Sequence, residues 1–310
     1  MQSTFLTLYG QFTALAALFA VLMVHVTRKQ TLRIGEDREA IEAIEKVDTL
    51  TLALCCVPAA FVGARLLYCL FRFDFYFVEL GAMSVLRTWE GGFLLYGAAL
   101  GAMLAAWALA KVKGVSPAIL LDEIACPGMM AIAISRMAEG MTTEGVGAWI
   151  ENELFWHFPI AVQNEWGEWQ LAVFLFESLA AVVILFVLLR QRGCARGETV
   201  LSAVLLYACC QIVLESLRMD ACLRIGFVRV SQVLSGVAAL AVTLIRSLRV
   251  GKKQAAICGG LCLGGIAAAG IIEWALDKTS VNNLILYPIM IAVCVMMMVV
   301  GMRYMKKEAR

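Results

Sequence analysis

Runs of about twenty apolar residues, broken by short polar stretches, are the dominant pattern of this chain. They predict spans at about 8–27, 49–71, 92–110, 118–137, 169–189, 199–217, 230–246, 255–275 and 284–302, each long enough to cross a hydrocarbon layer of about 30 Å as a helix. One connecting segment is also patterned: between Arg28 and Asp48, Ile41, Ile44 and Val47 recur at helical spacing among charges. That pattern predicts a surface helix feeding the second span. The small residues Gly260, Gly264 and Ala268 in the eighth span have the spacing of a close helix contact, so the last two spans read as a packing hairpin.

Composition supports this picture. The 310 residues are 62% hydrophobic and 16% charged, with a mean hydropathy of +0.83, far from the usage of soluble domains. Continuous apolar runs favour helices over a barrel. The expected fold is therefore all-α, a polytopic membrane bundle of about nine helices, and a soluble enzyme, a disordered chain and a nucleic-acid-binding protein are excluded. If the first connection is cytoplasmic, 18 of the 26 lysines and arginines fall on that side, which implies an N-out, C-in orientation. The start of the chain has no basic n-region, so the first helix reads as retained rather than cleaved. Most of the eleven cysteines sit in spans, and Cys222 alone is expected outside, so no disulfide framework is implied. His25 and His157 are isolated, and no metal site is expected.

The segment at about 138–168 carries six glutamates and no lysine or arginine, an acidic external cap. Its Trp149, Trp156, Trp166 and Trp169 suit the headgroup zone.

Ionisable side chains inside spans are expensive and are site candidates for that reason. Arg136 closes an otherwise apolar helix and can clamp a phosphate with its fork of N–H donors; anchoring of the helix end is the alternative. Arg65, Glu177 and Glu273 are further intramembrane charges, as are Asp122 and Glu123 at the start of the fourth span. Glu215 and Arg218, three apart on one face, can pair with each other. Tyr207 and Gln211 extend Glu215 into a polar stripe that should face the bundle interior. Gly91, Gly92, Gly97 and Gly101 surround Tyr96 at the start of the third span, where they permit either close approach of a lipid headgroup or close helix packing.

These segments together resemble the bacterial prolipoprotein diacylglyceryl transferases. The resemblance runs from about Leu8 to Ala241 and is carried in order by Tyr9-Gly10, GARLLYCLFRFDFYF, WEGGFLLYGAALG, LLDEIACPGMMAIAISRMAEGMTTEGVG, LAVFLFES, YACCQIVLESLRMD and SQVLS. It implies a domain at 1–247 with the cap inserted, followed at 248–310 by an added hairpin and basic tail. It also implies an enzyme of the bacterial cytoplasmic membrane that moves diacylglycerol from phosphatidylglycerol to the lipobox cysteine of a prolipoprotein. No cofactor is implied beyond the lipid substrate; the partners are phosphatidylglycerol, prolipoprotein signal peptides and the bilayer, with no nucleic acid. Arg136 matches the signature arginine, and Tyr9, Glu144, Gly147, Tyr207 and Glu215 match family positions, as do Asp122 and Glu177.

The chain also departs from the family. The His-Gly-Gly of the third span is Tyr96-Gly97-Ala98, the asparagine three after the signature arginine is Glu139, and the second arginine of the sixth span is Gln211. The His-Pro-Ser-Gln run of the fifth span is Leu-Ala-Val-Phe. With the histidine gone, the proton role falls to Tyr96, Glu139 or Glu144. Arg136, Tyr9, Gly97, Gly147, Tyr207, Gln211, Glu215 and Arg218 remain as the candidate headgroup-binding set. A diverged transferase with another donor or acceptor, and a non-catalytic lipid-binding scaffold, are the competing readings.

Overall fold

A computed structural model describes residues 2–34, 38–142, 144–191, 194–220, 223–278 and 283–305, with no side-chain description for 2–9, 34 and 90. Cys222 lies outside the described residues. Among them, nine helices are long and apolar enough to cross a membrane, each coinciding with a predicted span, so the chain is an all-α polytopic membrane protein. Two compact units divide it, residues 17–128 and residues 1–16 with 129–310.

In the unit 17–128, α1 (Gln2–Ile34) contributes its second half, followed by α2 (Arg38–Lys46), α3 (Thr49–Phe71), α4 (Leu95–Lys113) and the start of α5 (Pro117–Glu139). The surface helix expected before the second span is α2, its Ala43 buried together with Val47 just beyond it. Asp48 caps α3 by accepting from the Thr51 N–H. Arg28 is buried and donates to Glu123, to the carbonyl of Val47 at 2.7 Å and to Thr49 Oγ1. A buried charge in this position is tolerated because its donors are matched.

Helices α3 and α4 touch through glycine. A Cβ on Gly97 would lie 2.3 Å from the Gly63 carbonyl oxygen, and one on Gly101 would lie 2.1 Å from that of Ala59. Arg65, on α3, is buried and forms no ion pair with a carboxylate among the described residues. It donates instead to the carbonyls of Val85 at 2.9 Å, Gly92 at 3.2 Å, Ser84 at 3.3 Å and Arg87 at 3.0 Å, and to that of Gly91. Its guanidinium also lies over the Tyr76 ring. The segment between α3 and α4 holds only short π- and 3-10-helical stretches, at Asp74–Glu79, Ala82–Leu86 and Thr88–Glu90, and Arg65 meets five of its carbonyls from within the protein.

The other unit holds the end of α5, then α6 (Val173–Arg190), α7 (Glu198–Leu217), α8 (Val230–Leu248), α9 (Lys252–Lys278) and α10 (Asn283–Met302). Between α5 and α6 stands the cap. It is built on the antiparallel pair β1 (Ala161–Gln163) and β2 (Trp169–Leu171), with Ala161 opposite Leu171. A second pair, β3 (Arg224–Ile225) and β4 (Val228–Arg229), joins α7 to α8. The core is packed by Leu205, Cys209, Ile212, Ala239, Met290 and Met297 from α7, α8 and α10, with Cys262 from α9, so the last two spans do act as a packing hairpin.

The face by which α9 packs differs from the expected one. Gly260 and Gly264 have open space around them, whereas a Cβ on Gly259 would meet Leu244 at 2.9 Å and one on Gly265 would meet Met297 at 2.7 Å. The sequence offers small residues on both faces, and only the neighbouring helices select between them. Beyond packing, Arg246 is fully buried and donates to Glu198 Oε2 at 2.9 Å, Ser202 Oγ at 2.8 Å and the Gly301 carbonyl at 3.0 Å. It thereby ties the ends of α7, α8 and α10.

Candidate functional site

At the end of α5, an apolar run stops at Arg136, and one turn later the helix ends at Glu139. Arg136 is buried; its Nη1 donates to Glu139 Oε1 at 2.5 Å and its Nη2 to the Tyr207 hydroxyl at 3.4 Å, while Nε lies 3.3 Å from Glu177 Oε2. Glu177 belongs to α6 and is fully enclosed. It accepts from Gln211 Nε2 at 2.9 Å and from Arg218 Nη1 at 3.1 Å. Gln211 Nε2 also donates to Glu215 Oε1 at 3.1 Å. The stripe Tyr207, Gln211 and Glu215 therefore does face inward, and all three are buried.

The expected pairing of Glu215 with Arg218 is not made. Arg218 caps the C-terminus of α7 with extended backbone, so its side chain leaves the helical row that would have placed it over Glu215. Its ion partners among the described residues are Glu139 at 3.2 Å, Glu177 at 3.1 Å and Asp220 at 2.5 Å. Glu215 is 3.7 Å from Arg229 instead, and Arg229 in turn binds Asp220 at 3.0 Å. Three guanidiniums, Arg136, Arg218 and Arg229, thus meet four carboxylates, Glu139, Glu177, Glu215 and Asp220.

Sequence reasoning missed Asp220 and Arg229. Asp220 stands outside α7, and its side chain is buried. Burial by itself would raise its carboxyl, but hydrogen bonds from Arg218, the Arg218 charge, the Gly145 N–H and Arg229 bring it down to about 2. The Gly145 bond, 2.9 Å long, ties the cap to this network. Gly147 makes a bridge with Arg218, and a Cβ there would lie 2.6 Å from the Leu217 carbonyl. Its place is thus a close backbone approach next to the arginine. The only local signal for Asp220 was its position two residues after Arg218.

Among the described residues three buried polar atoms of this cluster complete no hydrogen bond: Arg136 Nε and Glu139 Oε2, which have only ion-pair contacts, and Gln211 Oε1. A buried group left so is costly and invites a ligand or water. Glu144 differs from the paired carboxylates because its side chain is exposed. The protein packed about it, and next the Glu139 carboxylate, nonetheless raise its carboxyl above the ordinary range.

Tyr96 and Gly97 belong to the other unit. Tyr96 is half-buried on α4; Gly97 and Gly101 make close helix contacts with α3, whereas Gly91 has open space around it and Gly92 lies against the Tyr68 and Arg65 side chains. Tyr9 stands on α1, and its side chain is outside the described part. Asp122 is half-buried on α5 in the same unit as Tyr96.

The fold and the site define a helical membrane protein with a buried arginine–carboxylate cluster tied to a polar cap. A family model described as prolipoprotein diacylglyceryl transferase matches residues 2–247, and the chain belongs to that family. Relatives named phosphatidylglycerol–prolipoprotein diacylglyceryl transferase are similar to it. The Listeria welshimeri protein is 34% identical over 199 residues, 62% of this chain and 71% of the relative. That of Bacillus licheniformis is 30% identical over 237 residues, 73% and 82% of the two chains. The Geobacillus kaustophilus protein is 31% identical over 206 residues, 64% and 76%.

Proposed function

We propose that this protein transfers diacylglycerol from phosphatidylglycerol to the cysteine thiol of a prolipoprotein, at the outer face of a bacterial cytoplasmic membrane. Family membership over residues 2–247 carries the reading. The buried Arg136 and Arg218 support it.

In the step, the cysteine sulfur attacks the glyceryl carbon that bears the phosphoester oxygen. The C–S bond forms as the C–O bond breaks, the electron pair leaves on glycerol phosphate, and the thiol proton passes to a base. Arg136 and Arg218 hold the phosphate and stabilise the charge it gains on leaving. Gln211 and Tyr207 lie beside them as headgroup contacts. For the base, Glu144 suits best. Its raised carboxyl and its exposure leave it able to accept a proton, whereas Glu139 is held between two guanidiniums. The reaction as written requires no cofactor. The excess of basic residues in the first, third, fifth and seventh connections and the C-terminal tail supports an N-out, C-in orientation, which puts the cap outside. Residues 1–247 are proposed as the transferase domain and 248–310 as an addition to it.

Complementation tests this reading. Cells depleted of their own diacylglyceryl transferase would express the chain, Arg136→Ala or Tyr96→Phe, and a model lipoprotein would be followed by mass spectrometry. A gain of diacylglycerol that disappears with Arg136→Ala is expected, with Tyr96→Phe retaining it. No modification by a folded, inserted protein would overturn the assignment.

A further inference from the structure

The arginines proposed to take the lipid phosphate are already engaged. Glu139 reaches Arg136 through Oε1 at 2.5 Å and Arg218 through Oε2 at 3.2 Å, so one carboxylate sits across both guanidiniums that a phosphate would need. Counting the whole cluster, four carboxylates face three guanidiniums. A phosphodiester added to this set meets a site that is already one negative charge in excess.

The two carboxylates that bridge these arginines are not held alike. Glu177 is fully enclosed, and it accepts from both Gln211 and Arg218. Glu139 Oε2 makes no hydrogen bond. Glu139 is also the last residue of α5, where the helix dipole disfavours a negative charge, so the two arginines are what keep it in place. Gly145, in the cap, comes against it closely enough that a Cβ there would lie 3.0 Å from Oε2. Beside it, Arg136 Nε lies 3.3 Å from Glu177 Oε2 without completing a hydrogen bond.

We propose that Glu139 is a specificity-determining counter-ion: it occupies the guanidinium faces of Arg136 and Arg218 in the free protein and is displaced by the phosphate of the ligand. Displacement exchanges one anion for another, so the net cost falls on ligands that bind guanidinium no better than a carboxylate does. Phosphate esters, with more acceptor oxygens for two arginine forks, are selected over carboxylates. Glu139 then sets how tightly the headgroup is held, and the proton of the reaction goes elsewhere. The inference deepens the transferase reading and rests on it for the identity of the ligand, though not for the binding of phosphate.

The test uses the purified full-length protein in detergent, with inorganic phosphate as the probe and Glu139→Gln as the variant. Glu139→Gln should bind phosphate about tenfold more tightly, a modest part of what one charge at contact distance does in partly wet protein, and phosphate should raise its thermal stability more than that of the unaltered chain. In the transfer assay the KM for phosphatidylglycerol should fall by about tenfold while kcat changes less than about threefold, the pattern of altered ground-state binding. Glu139→Asp, which keeps the charge beside Arg136 but is too short to span to Arg218, should lie between the two and serves if Glu139→Gln does not fold. Unchanged or weaker phosphate binding in the variants would overturn the proposal, and so would a loss of about a hundredfold in kcat at constant KM, which would make Glu139 the base. If the chain transfers no diacylglycerol, the phosphate titration still decides: tighter binding by Glu139→Gln upholds the counter-ion while the transfer reading fails.

Discussion

Single side chains in this protein are governed by whether each buried charge finds its partner. Arg136 meets Glu139, Glu177 and the Tyr207 hydroxyl through different nitrogens, so its fork matters beyond its charge. Arg136→Lys keeps the charge and loses the bidentate geometry; kcat/KM for the transfer should fall by about 10²-fold, the usual cost of one lost transition-state donor. Glu144 makes a different prediction because its carboxyl is raised. As the base it works ionised, so the acid limb of the kcat/KM profile should lie above the ordinary carboxylate value of 4.5. Glu144→Gln should abolish that limb and lower kcat by about 10²-fold. A raised carboxyl weakens folding as pH climbs through its titration, so the variant should melt no lower than the unaltered chain at pH 7. Asp220 has the opposite sign. Its carboxyl, lowered from 3.8 to about 2, contributes stability that is complete above about 4 and is lost as pH falls through about 2. Asp220→Asn should therefore lower the melting temperature at pH 7, and the difference should close on acidification. A variant that melts like the parent at neutral pH would show that the Arg218–Asp220–Arg229 contacts do not hold the fold.

Among the helices, α3 and α4 show how much a missing Cβ can decide. WEGGFLLYGAALG allowed either a headgroup site or a close helix pair, because glycine serves both uses equally well. At Gly97 the backbone of α3 makes the second of these contacts. Gly97→Leu should disrupt the contact with Gly63 and cost about 3 kcal/mol or more, at the upper end of overpacking effects, read as a lower melting temperature in detergent. Arg65 works at the same scale: five carbonyls between α3 and α4 accept from one guanidinium, and lysine has only three donors. Arg65→Lys should leave buried carbonyls unmet at about 1–3 kcal/mol each, and faster proteolysis between residues 72 and 94 would register the loosened segment. An arginine in a span could be noticed from its position; that it serves backbone rather than phosphate could not, since its partners are 19 to 27 residues away in a stretch without periodicity.

Across the unit that contains the cluster, the hairpin beyond the family match is structurally integral. The family match ends at residue 247, yet Gly301 accepts from Arg246, Gln232 donates to Glu273 at 3.0 Å, and the Tyr287 hydroxyl donates to the Ser216 carbonyl at 3.2 Å. Removing residues 248–310 would turn these groups toward lipid, which offers them no partners. The truncated chain should aggregate or elute polydisperse in size exclusion, where a dispensable appendage would leave a sharp peak. Arg246→Met alone should cost about 3–5 kcal/mol, because Glu198 would remain buried without its main partner.

Hydropathy along the chain determined the nine spans, the all-α class, the inward polar stripe of α7 and the exceptional position of Arg136, because length, period and the cost of a charge in lipid are local properties. Which carboxylate meets which arginine was decided only in three dimensions. Glu215 and Arg218 satisfy the helical spacing rule, but the helix ends at Leu217, and Arg218 turns to Glu177, which precedes it by 41 residues. The same holds for Gly259 and Gly265 over Gly260 and Gly264. Spacing on one helix records which residues share a face, and only the packing of other helices against it determines which face is used.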